Sequence, residues 1–237
     1  MIYKYKILFI ILVFILKCNP SKSNDYEEKI GMLENYLSSI KNMSFLFEQY
    51  STNEIKQTGW MYIQKPNRLR IEYKGDNDLI IISNSSYLIL YKAKDDIIAS
   101  LPNEGPWNIL TNKNLSFSTN KNNIEADGII NDIKEFKLND TTHIFYKISM
   151  RNKDKQLLFP IILHTSTNPF KINGWAINDD QNQTIKIKIT TMLSYNDTNL
   201  DLNVFRLTEK ERLNGNIWRG PFNKPSITRP PKPKHRN

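Results

Sequence analysis

The sequence predicts an α+β fold in which a curved antiparallel β-sheet carries helices on one face. Apolar residues recur at helical spacing over Asp25–Lys41 and then at a period of two, which is typical of strands. The pattern weakens between Tyr91 and Ile144, where short helices are indicated, and the period of two then returns. One helix, several strands, short helices and further strands, in that order, are typical of the α+β class.

The first element is a helix over Asp25–Lys41. Its apolar side chains recur every three or four residues, and either Asn24 or Asp25 stands where a helix cap is expected. The apolar positions are Ile30, Leu33, Leu37 and Ile40.

Strand patterns follow this helix. Alternation begins at residues 44–49, and two further runs, Trp60–Gln64 and 68–73, flank a turn at Pro66 and Asn67. In the last run, apolar and charged residues alternate strictly, which predicts a hairpin with one apolar and one charged face. The apolar residues are Leu69, Ile71 and Tyr73, and the charged ones are Arg68, Arg70 and Glu72.

Two strands, Leu79–Ile82 and Tyr87–Tyr91, are apolar on both faces, so we expect both faces to be covered. Further strands are predicted at residues 144–150, 157–163 and 185–189. Because Pro160 interrupts the second of these, we expect that strand at an edge or a bulge. Short helices are predicted after Pro106 and over Ile124–Ile130.

The first segment, residues 1–23, is typical of a secretory signal peptide. It has a basic start, an apolar run of ten residues and small residues at Ser21 and Ser23. An uncleaved membrane anchor is the alternative, but a span needs about 20 apolar residues. The single cysteine, Cys18, follows Lys17 rather than the small residue that lipidation requires. Cleavage after Ser23 would leave a chain without cysteine and hence without disulfides.

The last segment, residues 219–237, is rich in proline and basic, so we expect it to be disordered. The chain carries a net charge of +9, of which four lysines in residues 1–23 and six cations in the tail account for ten. The body, residues 24–218, therefore has a net charge of −1, and we expect no nucleic-acid partner for it. The tail is either a solvated end or a weak contact for an acidic surface.

Motifs that carry catalysis or metals are missing from the sequence. There is no nucleophile elbow, no phosphate loop and no histidine pair at metal-binding spacing, and His143 and His164 lie far apart in the chain. The paired carboxylates, such as Asp179–Asp180, fall in predicted turns. We expect no enzyme activity, no cofactor and no metal.

The strands carry more apolar residues than a two-faced sheet requires. These residues either line a ligand cavity or form a plain packed core, and the pattern alone leaves both open. The candidates for cavity residues are Phe45, Phe47, Tyr62, Leu69, Ile71 and Tyr73.

The stretch Ile40–Tyr91 resembles the periplasmic outer-membrane lipoprotein carrier family (LolA). The resemblance rests on Phe47-x-Gln49, on the run Gly59–Pro66, on Leu69-x-Ile71-x-Tyr73 and on the pair of strands that ends at Tyr91. The second half is similar more loosely, through Trp175, the strand Thr184–Ile189 and a closing strand at Leu202-x-x-Phe205.

The resemblance implies an unclosed, strongly curved antiparallel β-barrel with a helical lid over a hydrophobic cavity. Residues 24–218 would then be a monomeric carrier in the periplasm. It would take acylated lipoproteins from an inner-membrane ABC transporter and pass them to an outer-membrane acceptor. Trp107, Ile109 and Leu110 correspond to the lid, and Lys65 to the basic residue that holds it shut. Lysine has fewer donors than the arginine common there, which implies a weaker latch.

Two other functions remain open at this point. A sensor of similar fold would bind lipoproteins or lipid fragments to regulate a partner in the cell envelope. A lipidated outer-membrane acceptor would have its mature N-terminus at Cys18.

Overall fold

The computed structural model describes residues 22–52, 56–75, 79–84, 87–92, 97–102, 107–178, 183–197, 201–207 and 216–218. The helices are α1 (Lys22–Ser39), α2 (Asn108–Thr111) and a 3₁₀ helix (Leu202–Phe205). The strands are β1 (Asn42–Tyr50), β2 (Lys56–Gln64), β3 (Arg68–Lys74), β4 (Leu79–Asn84), β5 (Tyr87–Lys92), β6 (Ile97–Pro102), β7 (Phe117–Ser118), β8 (Gly128–Leu138), β9 (Thr141–Met150), β10 (Ile161–Ser166), β11 (Lys171–Asn178), β12 (Thr184–Tyr195) and β13 (Asn216–Trp218). Residues 1–21, the predicted tail and Asp179–Asp180 lie outside the described residues.

The strands form one large, curved and unclosed sheet. Their order is β13-β6-β5-β4-β3-β2-β1-β12-β11-β10-β9-β8-β7, with β13 and β7 at its two ends. The expectation of a purely antiparallel sheet is wrong at those ends, where β13 pairs with β6 and β7 with β8 in parallel. Neither short strand is joined to its neighbour by a tight hairpin, and only antiparallel neighbours permit one. The sheet is therefore mixed.

Helix α1 packs on one face of the sheet, which we call the core face. Its side chains Leu33 and Leu37, and Ile40 directly after its end, are at most 1% exposed and join the apolar side chains of the strands in one cluster. The predicted helix is confirmed, although it begins at Lys22 rather than Asp25 and ends at Ser39 rather than Lys41.

The hairpin of β2 and β3 is confirmed, with Met61 opposite Ile71 and Ile63 opposite Leu69. Its other face, which we call the outer face, is not simply solvated, because the 3₁₀ helix lies against it. Arg70 is buried there, and its Nη1 donates to the carbonyls of Val204 at 3.3 Å and Arg206 at 3.1 Å.

The prediction of a closing strand at Leu202–Phe205 is wrong, because these residues form the 3₁₀ helix. The Asp201 carboxylate accepts a hydrogen bond from the backbone N–H of Asn203 at 2.9 Å, which caps a tight turn in place of an extended strand. Phe205 is 2% exposed, so the segment is anchored by an apolar side chain as well.

Strands β4 and β5 are covered on both faces, as their composition predicts. The adjacent residues Ile82 and Ser83 point to opposite faces and are 1% and 0% exposed. Leu88 of β5 is likewise buried.

Two local predictions are wrong. Ile124–Ile130 contains no helix, and strand β8 starts at Gly128. The strand predicted over Leu157–Leu163 starts only after Pro160, which has no N–H to give to the ladder, and β10 lies between β9 and β11 rather than at an edge. Strand β6 has no counterpart among the predicted elements.

Among the described residues, no helix is both long and apolar enough to cross a membrane.

Candidate functional site

The candidate site is the apolar cluster between the core face of the sheet and the two helices. Phe45, Phe47, Leu69 and Ile71 are 5% exposed or less, and all belong to this cluster together with Leu33 and Leu37 of α1. These four of the six predicted cavity residues are thus brought together, but the side chains of α1 and α2 pack directly against them. Lipid binding by the cavity residues stays a prediction.

Tyr62 does not join the other five predicted residues. In β2 its neighbours Met61 and Ile63 are buried on the core face, and successive strand residues point to opposite faces. Tyr62 lies opposite Arg70 in the pairing of β2 with β3, which places it on the outer face. The assignment of Tyr62 to the cavity is therefore corrected.

Tyr73 lies at the margin of the cluster. Its ring meets that of Phe47 edge to face, with centroids 5.4 Å apart, and its hydroxyl donates to Gln49 Oε1 at 2.7 Å. Burial raises the pKa of Tyr73 to about 12, so the phenol stays neutral near pH 7. It therefore offers the apolar site a polar group without adding charge.

Gly59 makes room for Phe47 in this site. The two residues are paired across β1 and β2, and a Cβ at position 59 would lie 2.8 Å from Phe47 Cζ. Glycine therefore lets the Phe47 ring lie over the backbone of β2, which explains the start of the Gly59–Pro66 motif.

Helix α2 closes one side of the cluster. Ile109 and Leu110 are 2% and 1% exposed within it, and Trp107 packs against it. The carbonyl of Thr111 accepts a hydrogen bond from the backbone N–H of Asn67, in the turn between β2 and β3, at 2.9 Å. All three predicted lid residues thus lie at the site, and their action as a lid stays a prediction.

The side chain of Lys65 contacts α1 and not the lid. Its Nζ donates to the carbonyl of Leu37 at 2.6 Å, in the last turn of α1, where carbonyls have no partner within the helix. Burial lowers the pKa of Lys65 to about 8, so the ammonium is held with a desolvation penalty beside the negative end of the helix dipole. The expected contact between Lys65 and the lid is therefore corrected, and the latch role of Lys65 stays a prediction.

Thr111 is a feature that the sequence did not indicate. It is fully buried at the end of α2, and its hydroxyl has no hydrogen-bond partner among the described residues. A buried hydroxyl without a partner costs about 1–3 kcal/mol, so the packed position of α2 carries a built-in penalty. The sequence pattern cannot predict this, because whether a hydroxyl finds a hydrogen-bond partner depends on its neighbours in the folded protein.

The site consists mainly of aliphatic and aromatic side chains, which bury apolar surface. Within the part of the chain that the structure describes, no three His, Cys, Asp or Glu side chains are grouped so as to hold a metal ion.

The chain matches a known protein family over most of its described length. The model of the family described as "Outer membrane lipoprotein carrier protein LolA" matches residues 38–208, from the end of α1 to just beyond the 3₁₀ helix. No curated protein matches.

Several solved structures are similar at low identity. One is an uncharacterized conserved protein from Thermus thermophilus, with 12% identity and a TM-score of 0.47 over 82% of this chain and 99% of that one. A LolA superfamily protein from Nitrosomonas europaea has 7% identity and a TM-score of 0.40, over 76% and 97%. A DUF1329 family protein from Desulfovibrio piger has 7% identity and a TM-score of 0.41, over 76% and 96%.

Proposed function

Because this chain belongs to the outer membrane lipoprotein carrier family LolA, we propose that it is a periplasmic carrier for lipoprotein acyl chains. The acyl chains would lie between the core face of the sheet and the helices. The observation that carries this proposal is the apolar cluster in which Phe45, Phe47, Leu69 and Ile71 of the family-matched region meet a short, separable helix.

Helix α2 is the element that would move to admit an acyl chain. With four residues it is too short to be stable alone, so it is held mainly by Ile109 and Leu110. Exposing two such side chains costs roughly 3–6 kcal/mol, whereas burying ten acyl CH₂ groups provides roughly 8 kcal/mol. Binding of an acyl chain can therefore displace α2 with a small net gain in free energy. A small gain suits a carrier that must also release its cargo.

The direction of transport is part of the same proposal. We propose that the protein receives lipoproteins from an inner-membrane ABC transporter and delivers them to an outer-membrane acceptor. It would act as a monomer, with no cofactor, and would release the acyl chains chemically unchanged. Export through the predicted signal peptide, residues 1–23, belongs to the same proposal.

Photo-crosslinking tests where the acyl chains lie. Benzoylphenylalanine would replace Ile71 on the core face, and in a control protein it would replace Ile162, which is 40% exposed on the outer face. Both proteins are irradiated with a triacylated lipopeptide and with the same peptide lacking acyl chains. We expect the acylated peptide alone to crosslink, and only to position 71.

Equal crosslinking at both positions, or crosslinking of the non-acylated peptide, would contradict acyl binding at this site. A charge substitution provides a second test, because Leu69→Glu places a carboxylate within the cluster while Lys186→Glu changes an exposed residue of β12. We expect only the first to lose lipopeptide binding, with folding of both checked by circular dichroism.

The carrier role itself is tested by release and transfer. Wild-type protein is added to spheroplasts that contain the transporter, and soluble lipoproteins are then offered to outer-membrane vesicles. We expect release and delivery with wild-type protein and loss of both with Leu69→Glu. Lipopeptide binding without release or delivery would indicate a sensor rather than a carrier.

A further inference from the structure

A second candidate site lies on the outer face, away from the acyl cluster. It is a polar cleft of about 280 Å³ where the turn between β8 and β9 meets the turn between β10 and β11. The residues that line it are Leu138, Asn139, Thr141, His143, Ser166, Thr167, Asn168, Pro169, Lys171 and Asn173. The acyl cluster uses the opposite face of the same strands, including Ile144 and Ile172, so the two sites share no side chain.

Three side chains of the cleft form a row across neighbouring strands. Ser166 of β10 lies opposite His143 of β9 on one side and opposite Lys171 of β11 on the other. Directly opposite residues in a sheet have Cβ atoms about 4.5–5.5 Å apart, so a group of a few atoms can contact all three. An ammonium, a hydroxyl and an imidazole are thereby presented together.

The lining contains one permanent cation, Lys171, and no carboxylate. Asp140 in the adjoining turn is outside the lining, and its carboxylate is 3.5 Å from the ammonium of Lys137. An anion in the cleft would therefore meet Lys171 without an acidic competitor among the lining residues.

Asn173 supplies a donor without a partner. Its side-chain Nδ2 is buried and has no hydrogen-bond acceptor among the described residues, while its Oδ1 is 3.5 Å from Ser166 Oγ. A buried amide N–H without an acceptor costs about 1–3 kcal/mol, so an acceptor brought by a ligand would remove a penalty already present.

His143 can add a further donor. Its Nδ1 is 3.0 Å from Nε2 of His164, and burial followed by the charge of His143 lowers the pKa of His164. In the tautomer in which Nδ1 of His143 accepts from Nε2 of His164, Nε2 of His143 carries a hydrogen that can be donated to another acceptor.

We propose that this cleft binds an oxyanion of the phosphate type. Lys171 would be the cation, and Asn173, Ser166 and His143 would donate hydrogen bonds. Phosphate oxygens accept several short, charge-assisted hydrogen bonds at once, which matches a row of donors next to an ammonium. The phosphate belongs either to a small soluble molecule or to a phospholipid headgroup, since both present the same oxygens.

Calorimetry with inorganic phosphate and with glycerol 3-phosphate tests the soluble source. Flotation with phosphatidylcholine vesicles, with and without phosphatidic acid, tests the lipid source. The variants are Lys171→Met, which keeps the aliphatic stem, and Asn173→Asp, which replaces the donor with a carboxylate. The control is Lys186→Met, an exposed lysine of β12 that does not line the cleft. Circular dichroism and thermal unfolding confirm that each variant is folded.

We expect both cleft variants to weaken binding at least about tenfold, in line with the loss of a hydrogen bond to a charged group, and the control to change it less than twofold. Binding of the soluble phosphates that the cleft variants abolish supports the proposal and identifies a soluble source. Binding of vesicles only when they contain phosphatidic acid, again abolished by the cleft variants, supports it and identifies a lipid source. No binding by wild-type protein in either assay, or equal binding by wild type and Lys171→Met, overturns it.

Discussion

Lys65 connects two elements through its backbone and its side chain. Its backbone N–H donates to the carbonyl of Lys41 at 2.8 Å and its Nζ to that of Leu37 at 2.6 Å, so it joins the turn after β2 to the end of α1. The family resemblance assigned a latch role to this residue. It did not predict the hydrogen-bond partner, because the carbonyl within reach of Nζ depends on where α1 ends.

The lowered pKa of Lys65 makes stability depend on pH. In the folded state the pKa is about 8, against 10.5 for the ordinary side chain, so between these values the unfolded chain binds more protons. The free energy of unfolding should therefore rise from pH 8 towards pH 10, by at most about 1.4 kcal/mol per pH unit. Solvent screening reduces that figure.

Chemical denaturation between pH 8 and pH 10 measures this dependence. Lys65→Met should abolish the rise, whereas Lys41→Met, at an exposed position, should keep it. Measurements should stop at pH 10, because burial raises the pKa values of Tyr36 and Tyr73 to about 12. Above their ordinary pKa of 10 these phenols make stability fall with pH. A rise that persists in Lys65→Met would show that another group causes it.

The placement of Tyr62 was predictable from the sequence but was missed. With Gln64 opposite Arg68, a three-residue turn fixes the register of the hairpin and sets Tyr62 opposite Arg70. Parity along β2 then separates Tyr62 from Met61 and Ile63. Burial of Arg70 was not predictable, since its cover comes from residues more than a hundred positions later in the chain.

Helix α2 is the element that we propose to move when the site opens. Its Thr111 hydroxyl is buried without a partner among the described residues, so Thr111→Val should remove that penalty and stabilise the packed helix. We expect the free energy of unfolding to rise by about 1 kcal/mol and lipopeptide loading to become weaker, because the displaced state gains nothing from the change.

Thermal unfolding and fluorescence-based lipopeptide binding measure the two effects. Thr191→Val, on the exposed part of β12, is the matched control and should change neither. If Thr111→Val were to strengthen loading, the packed position of α2 would not be the closed state of the carrier.

The 3₁₀ helix depends on Arg70 in the same way. Arg70 donates to two backbone carbonyls of the segment and forms an ion pair with Glu72. Replacing it by methionine leaves these acceptors unpaired, so we expect a loss of roughly 2–3 kcal/mol of stability and faster tryptic cleavage after Arg206. Arg68→Met should have a much smaller effect, since the hydrogen bond described for Arg68 goes to the Gln64 side chain, at 3.1 Å. Equal cleavage rates in both variants would contradict the clamp.

The elements with regular periodicity were predicted best. Helix α1, the β2–β3 hairpin, β9 and β12 all carry an apolar face whose period survives in the sequence. Strand β8 was missed because a register shift after Ile130 interrupts its alternation and because its residues 134–138 are exposed on both faces. The cavity candidates came from the apolar strand pattern, whereas the predicted lid and the proposed acyl binding came from the family resemblance.

The two helices are attached to the sheet very differently. Along its length α1 is tied to the β7–β9 end, where Tyr146 donates to Lys29 O at 3.0 Å and Glu34 accepts from Phe117 N at 2.6 Å. Its other end is held by Lys65 and by Asn196, which donates to Ser39 O at 2.9 Å. For helix α2, one backbone hydrogen bond to the β2–β3 hairpin is described, from the N–H of Asn67 to the carbonyl of Thr111. Among the described residues α1 thus makes more of these hydrogen bonds than α2, which agrees with the proposal that α2 is the helix that moves.

Hydrogen exchange on the loaded protein tests this division. A triacylated lipopeptide should speed exchange at the amides of Leu110, Thr111 and Asn112, which donate within the lid, and at the amide of Asn67. Amides that pair β9 with β10 should be unchanged, because the hydrogen bonds described between that end of the sheet and a helix go to α1. The peptide without acyl chains should have no effect on either group. Faster exchange in α1 than in α2 would show that α1, and not α2, moves on loading. A uniform increase would show that loading loosens the whole domain.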